Sequence, residues 1–301
     1  MNSITVRQVD AFTSVPHTGN PAGVVLDAAG LSQPQMQSIA REMNLSETAF
    51  VLPPTKQEAD VRIRWFTPTV EVPLCGHATV AAFHALAEEH RLGMSAPGVY
   101  TFSLETADGI LPVEVDRRET SSFVFLGLRV PEFEKVPHLK VDLVRLLGIP
   151  AVEFDNRVPI LRDAYLFVFI RRLHTLFMMK PNFLNISGFL SSRNLSGLCL
   201  YTLETIDRDS KVHSRFFAPN CGINEDPVTG SSHGPLGVIL HDHGLLSVEE
   251  GLCSFQGEQG DAIARRGRVR VEVKGQNGRA VSVRIGGHAV TVLRGEMVLQ
   301  E

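Results

Sequence analysis

A glutamate lies within a short strand-like run, where it could take up and return a proton. The stretch NLSETAFVLP at 44–53 is short, bounded by turn-forming residues and apolar towards its end, which predicts a strand. Period two places Glu47 on a face with leucine, alanine and valine. Such neighbours would desolvate the carboxylate and raise its pKa, which suits a base that must give its proton back. An edge strand or strand end, where the carboxylate reaches water, is the other interpretation.

A second group of chemically capable residues belongs to a motif that occurs twice. Residues 71–77 read EVPLCGH and residues 225–231 read EDPVTGS, which align without a gap as E-x-P-(L/V)-x-G-(H/S). An aromatic-rich strand precedes each copy, RWFTP at 64–68 and RFFAP at 215–219, and a helical pattern follows each. The pattern indicates an internal duplication.

The glycines of the two motifs, Gly76 and Gly230, permit a tight turn from strand to helix. Two such helix N-termini facing each other would hold an anion such as a carboxylate through their unpaired N–H groups. They would also stabilise the negative charge that forms on oxygen when a proton leaves a neighbouring carbon. His77, Asp226 and Ser231 are therefore candidate site residues, although each also suits a capping or packing role at a helix start.

Other polar residues give weaker indications of a site. Asn20, in the HTGNP turn, is either a turn former or a substrate ligand. The histidines of HDH at 241–243 are two residues apart on a predicted helix and point to different faces, so we predict no metal there. The cysteines form no CxxC pair, which argues against a zinc site and, in a reducing compartment, against disulfides: Cys75, Cys199, Cys221 and Cys253.

The elements that must position these residues are mostly strands, with few helices, which predicts an α+β fold. The clearest helix is HATVAAFHALAEEHRLG, which begins within the first motif. At 301 residues the chain is long for one core. We predict domains at 1–118 and 119–287, with a terminal segment, 288–301, that could pack back on the first.

Composition narrows the function classes. A net charge of -4, with 44% hydrophobic and 21% charged residues, is ordinary for a soluble globular protein. The densest basic stretch, RRGRVRVEVK at 265–274, alternates like a solvated strand and lacks interleaved aromatics, so we expect no nucleic-acid partner. Apolar runs fall far short of the about 20 residues of a membrane span, and the N-terminus lacks a secretory pattern, so we expect a cytoplasmic protein.

Several motifs together resemble one protein family. NLSETAF, FTP followed by EVPLCGHAT, FAP followed by EDPVTGS, and HTGNPAGVV at 17–25 are similar to the PhzF-like phenazine-biosynthesis family, whose relative diaminopimelate epimerase shares its fold. The resemblance covers nearly the whole chain, and only residues 150–200 match loosely. It implies two pseudo-symmetric α+β domains, each a mixed or antiparallel sheet wrapped around a central helix, with the site in the cleft between them. It also implies a homodimer.

The resemblance also assigns roles to individual residues. Glu47 stands where the family has its proton-transferring glutamate, and the other catalytic positions match three residues: His77, Asp226 and Ser231. Gly76 and Gly230 match glycines whose backbone amides cradle the substrate. The expected activity is a cofactor-independent isomerisation of a small carboxylate-bearing substrate.

Two alternatives remain open. Racemases of the related fold use two cysteines, one from each half; here Cys75 would be one of them, but its repeat partner is Thr229. Cys221, eight residues before Thr229, could in principle supply the second thiol. The other alternative is a non-catalytic small-molecule binding protein of the same fold, against which the joint presence of the four predicted catalytic residues argues.

Overall fold

The computed structural model describes residues 3–299, which form two compact units. Unit 1 comprises the described residues up to Leu128 together with those from Arg284 onward. Unit 2 comprises Arg129–Val283. Among residues 3–299, no helix is both long and apolar enough to cross a membrane.

Unit 1 is built mainly of strands. Its helices are α1 (Gln33–Met43) and α2 (Gly76–Glu88). Its strands are β1 (Ser3–Ala11), β2 (Asn20–Val25), β3 (Glu47–Leu52), β4 (Val61–Phe66), β5 (Glu71–Val72), β6 (Gly98–Thr106), β7 (Gly109–Arg117) and β8 (Ser122–Leu128). A long last strand, β17 (Arg279–Val298), begins in unit 2 and continues into unit 1.

The strands of unit 1 close into a ring. β1 pairs antiparallel with β2, β2 parallel with β3, β3 antiparallel with β4, and β4 parallel with β6. β6, β7 and β8 continue as an antiparallel meander, and β17 pairs with both β8 and β1. The short strand β5 pairs antiparallel with β4 beside this ring. Closure satisfies the backbone groups of both edges, so no edge of the ring is left open.

Helix α2 lies inside the ring, against β1, β2, β3, β7 and β8. Every residue from Gly76 to Ala87 is buried. Its many alanines favour a helix and keep it thin enough for strands to approach on all sides. At its C-terminal end, the Nε of Arg117 donates a hydrogen bond to the carbonyl of Ala87, which satisfies one of the acceptors left open there.

Unit 2 carries the remaining elements. Its helices are α3 (Lys140–Leu147), α4 (Leu173–Met178), α5 (Phe183–Ser191) and α6 (Gly230–Asp242). Its strands are β9 (Glu134–Lys135), β10 (Leu161–Arg162), β11 (Tyr165–Phe169), β12 (Gly197–Thr202), β13 (Ser210–Ala218), β14 (Ile223–Asp226), β15 (Leu252–Gln259) and β16 (Gly267–Gln276). Asn277 and Gly278, both with positive φ, form the tight turn from β16 into β17.

Unit 2 repeats the strand order of unit 1. β11 pairs parallel with β12, β12 antiparallel with β13, and β13 antiparallel with the short β14. β13 then pairs parallel with β15, and β15 antiparallel with β16. These pairings match those of β2 to β7 in order and direction. Helix α6 has 13 residues, as α2 has, and is likewise almost completely buried. The repeated motif is therefore accompanied by a repeated topology.

Two polar contacts also recur at matching positions. Arg64 of β4 forms a two-pronged ion pair with Glu71, and Arg215 of β13 forms the same pair with Glu225. A buried glutamate that accepts hydrogen bonds from two backbone amides recurs as well. Glu105 accepts from the amides of Thr55 and Lys56. Glu258 accepts from the amides of Ile206 and Asp207.

The prediction of an α+β fold, rich in strands with few helices, is confirmed. The domain division predicted after residue 118 falls between β7 and β8, which pair with each other in unit 1. The division predicted after 287 falls within β17, whose later residues pair with β1. That the halves are pseudo-symmetric domains sharing one site stays a prediction.

Candidate active site

Glu47 is the first residue of β3 and lies opposite Ala22 of the parallel strand β2. β3 has a partner on each side, so it is not an edge strand, and Glu47 lies at its beginning. The side chain is 13% exposed. Asn20, the first residue of β2, is completely buried and shares this face of the sheet because side chains alternate along a strand.

The imidazole of His77 lies between a thiol and this carboxylate. Nδ1 of His77 is 3.3 Å from Sγ of Cys75, and Nε2 is 3.4 Å from Oε2 of Glu47. Burial lowers the pKa of His77 to about 3, so the ring is neutral near pH 7. The contact with Glu47 is therefore made by a neutral ring and is not an ion pair.

The start of α2 brings backbone donors to the same place. The first helical bond returns from the amide of Thr79 to the carbonyl of Cys75, at 3.1 Å, and the Thr79 hydroxyl donates to the same oxygen. The amides of Gly76, His77 and Ala78 therefore have no acceptor within the helix. Together with the helix dipole, they suit this end of α2 to a negatively charged oxygen.

In unit 2, Asp226 belongs to a buried network that holds the turn before α6. The Thr229 hydroxyl donates to the carboxylate of Asp226. Nε2 of Gln259 donates to the Asp226 carbonyl at 2.8 Å and to Oγ1 of Thr229 at 2.9 Å, and its Oε1 accepts from the Thr229 amide. All three side chains are buried. Through these contacts Asp226 fixes the backbone that leads into Gly230.

Ser231, the second residue of α6, contacts a residue that the sequence did not indicate. Its Oγ lies 3.0 Å from the hydroxyl oxygen of Tyr165, the first residue of β11. The Tyr165 ring packs edge-on against Phe216, with centroids 4.9 Å apart. Tyr165 falls in the stretch 150–200 that resembles the family only loosely. The sequence feature that could have indicated it is a phenolic hydroxyl at the polar end of an apolar run.

The two copies differ at the position of the candidate base. Gly197 begins β12 opposite Tyr165, as Glu47 begins β3 opposite Ala22. A Cβ on Gly197 would lie 2.3 Å from Cζ of Phe216. The second copy therefore has no carboxylate at this position and no room for one.

The second thiol of the racemase alternative is also missing at the matching position. Thr229 stands where the first copy has Cys75, and its hydroxyl is bonded to Asp226. Cys221 lies on the surface of unit 2, where its Sγ is 3.6 Å from the carbonyl of Ser196.

Comparison with known proteins decides the family. Residues 9–295 match the model of the family described as phenazine biosynthesis-like protein. The chain belongs to this family. An uncharacterized isomerase of Clostridium acetobutylicum is 39% identical over 298 residues, with 97% of each chain covered. The phenazine biosynthesis protein of the PhzF family from Bacillus anthracis has a TM-score of 0.85 at 32% identity, over 99% of this chain and 100% of that one.

A more distant neighbour of this phenazine biosynthesis-like protein shares the fold alone. A hydroxyproline epimerase from Agrobacterium vitis has a TM-score of 0.62 at 14% identity, over 99% of this chain and 92% of that one. The family predicted from the motifs is thus confirmed. The roles of the site residues, the substrate class, the homodimer and the cytoplasmic location stay predictions.

Proposed function

We propose that this isomerase of the phenazine biosynthesis-like family moves a proton on a small carboxylate-bearing substrate without a cofactor, with Glu47 as the base. One observation carries the proposal: the largely buried Glu47 carboxylate lies 3.4 Å from a neutral imidazole, beside the open N-terminus of a buried helix. A base, a polar neighbour that orients it and donors for developing negative charge are thereby gathered in one place.

The same side chain, Glu47, removes the proton and returns it. Glu47 takes a proton from a carbon next to the substrate carbonyl or carboxylate; the C–H bond breaks and its electron pair shifts onto the substrate oxygen. The amides of Gly76 and His77 stabilise that oxygen as its charge grows. The protonated Glu47 then returns the proton to a carbon on the same face, so no other reactant is consumed.

Unit 2 has a supporting role in the proposal, which rests on the repeat and the family resemblance. Gly230 and Ser231 would hold a second polar group of the substrate at the start of α6. Asp226 would act as a positioning residue through its hydrogen bond from Thr229. Asn20 and Cys75 would line the substrate on the side of unit 1.

One observation favours a second candidate, the two-base racemase. Sγ of Cys75 is 3.3 Å from Nδ1 of His77, so the thiol of the racemase alternative lies in the same cluster as Glu47 and within hydrogen-bonding reach of an imidazole. The same mechanism requires a second base in the other copy. That copy has Thr229 and Gly197 where the first has Cys75 and Glu47, which makes the single-base mechanism the better supported one.

The test measures proton exchange without knowledge of the product. Small carboxylates and amino acids that raise the melting temperature are incubated with the protein in deuterium oxide, and exchange at carbon is followed by NMR. Glu47→Gln keeps the size and hydrogen bonding of the side chain but removes the base, so exchange should fall at least about 10²-fold. Undiminished exchange in a folded Glu47→Gln variant would overturn the proposal. Stabilising ligands that never exchange, even in the wild type, would indicate a binding protein.

A further inference from the structure

The cluster around His77 also has the composition of a metal site. Glu47, Cys75 and His77 each offer one ligand atom, and these atoms lie within 4.8 Å of one another. Cys75 immediately precedes α2, His77 is the second residue of α2, and Glu47 comes from strand β3. Thiolate and neutral imidazole are the ligands that zinc prefers, and carboxylates are common third partners.

The distance between the thiol and the ring fits one ion held by both. Zinc binds sulfur at about 2.3 Å and imidazole nitrogen at about 2.0 Å, so two ligands at a tetrahedral angle are about 3.5 Å apart. Sγ of Cys75 and Nδ1 of His77 are 3.3 Å apart. A separation of a few tenths of an ångström more, within the freedom of two side-chain torsions, would admit the ion.

Glu47 is positioned as the partner of the histidine and not as the third ligand. Its Oε2 lies 3.4 Å from Nε2, the ring nitrogen that faces away from Cys75. Histidines that bind metals commonly donate their second N–H to a carboxylate, which fixes the tautomer that leaves the other nitrogen free to bind. Cys75 and His77 are buried and the Glu47 side chain is 13% exposed, which limits competition from water.

We propose that Sγ of Cys75 and Nδ1 of His77 bind a thiophilic divalent cation of the zinc type, with Glu47 orienting the ring. The Cys75 thiol loses its proton on binding, and water or a substrate carboxylate completes the tetrahedral shell. The positive end of the helix dipole opposes the cation, but the bond to thiolate is much stronger than this opposition. With two protein ligands and open positions, the site differs from a structural zinc centre, which has four protein ligands.

The consequence is inhibition, and this part rests on the proposed function. An ion at Cys75 and His77 would add a net positive charge beside Glu47, whose carboxylate would be held by Nε2–H of the metal-bound ring, so Glu47 would become a weaker base. Zinc should therefore slow proton exchange, and a chelator should restore it. Metal binding is tested independently of inhibition, because binding is measured directly and does not require an active enzyme.

Binding is tested with Co²⁺ as a spectroscopic substitute for Zn²⁺ on chelator-treated, full-length protein. The wild type should bind one equivalent and show a thiolate-to-cobalt charge-transfer band, which excess Zn²⁺ displaces. Cys75→Ser should lose the band, and Glu47→Gln should keep it with an affinity about 10- to 100-fold lower. Cys221→Ser is the matched control with the exposed thiol removed, and its band should persist.

A second measurement remains informative should Cys75→Ser fail to fold. Alkylation of each cysteine of the wild type is followed by mass spectrometry with and without Zn²⁺, and the metal should protect Cys75 alone. The proposal is overturned by a missing charge-transfer band in the wild type, by a band that survives Cys75→Ser, or by protection of Cys221 instead. If the chelator-treated, metal-free protein exchanges no proton with any stabilising ligand while Co²⁺ still gives the band, the proposed function is refuted and the metal site stands.

Discussion

Glu47 and Gly197 occupy the same position in two copies of one strand arrangement, yet only the first copy carries a carboxylate there. Each residue begins a strand that has a parallel neighbour on one side and an antiparallel neighbour on the other. The two copies therefore differ at this position. The first copy keeps an acid against a neutral histidine, and the second fills the space with the ring of Phe216.

The close packing at Gly197 should make this position intolerant of any side chain. A Cβ would lie 2.3 Å from the Phe216 ring, so we expect Gly197→Ala to lower the free energy of unfolding in urea by about 1–3 kcal/mol. Adding Phe216→Leu should recover part of the loss. Gly188→Ala, within α5 and with nothing near its Cβ, is the control and should stabilise the protein by up to about 1 kcal/mol. Equal effects of the two alanines would contradict the role of the ring.

Cys75 distinguishes the two candidate mechanisms. If Glu47 transfers the proton, Cys75→Ala should reduce deuterium exchange far less than the about 10²-fold loss expected for Glu47→Gln. The two-base racemase requires the opposite result, with exchange from one enantiomer abolished by loss of the thiol. An inactive Cys75→Ala beside an active Glu47→Gln, both folded, would exclude Glu47 as the base.

Gly230 should matter for ligand binding rather than for folding. Because it begins α6 without a side chain, an anion can approach the first amides of the helix closely. We expect sulfate or a substrate carboxylate to raise the melting temperature of the wild type but not of Gly230→Val. Gly30→Val, at a loop position with open space around its Cβ, should respond as the wild type does. The same ligand-induced shift in both variants would remove Gly230 from the site.

The two repeated ion pairs should differ in their contribution to stability. Arg215 and Glu225 are 5% and 8% exposed, and Arg215 also donates to the carbonyls of Leu176 and Met179. Arg215→Met leaves these acceptors buried without a donor, so we expect a loss of about 3–5 kcal/mol in urea unfolding. Arg64→Met, whose ion pair is more exposed, should lose only about 1 kcal/mol.

His233 should make stability dependent on pH. Burial lowers its pKa to about 4, whereas an unfolded histidine titrates near pH 6.5. Between these values the unfolded chain binds the extra proton, so the free energy of unfolding falls as pH drops. We expect the wild type to lose about 2 kcal/mol more than His233→Gln between pH 7 and pH 5, measured by urea unfolding at each pH. Equal losses of unfolding free energy in the wild type and in His233→Gln would contradict the prediction, because they would show that His233 has the same pKa in the folded and unfolded states.

The sequence alone determined the features that depend on neighbouring residues. The strand pattern placed Glu47 in β3, the glycines of the two motifs marked the starts of α2 and α6, and the repeated motifs predicted the family. These signals lie within a few residues of one another and follow from backbone geometry. They do not depend on the conformation of distant segments of the chain.

Tertiary structure decided what depends on strand pairing and register. The approach of Glu47 to His77, thirty positions later, requires the ring of unit 1 to close around α2. The correspondence of Gly197 with Glu47 and the contact of Tyr165 with Ser231 likewise come from pairings between distant segments. A one-residue slip in the register of β3 or β11 would turn Glu47 or Tyr165 to the other face of its sheet, and no local pattern fixes that choice.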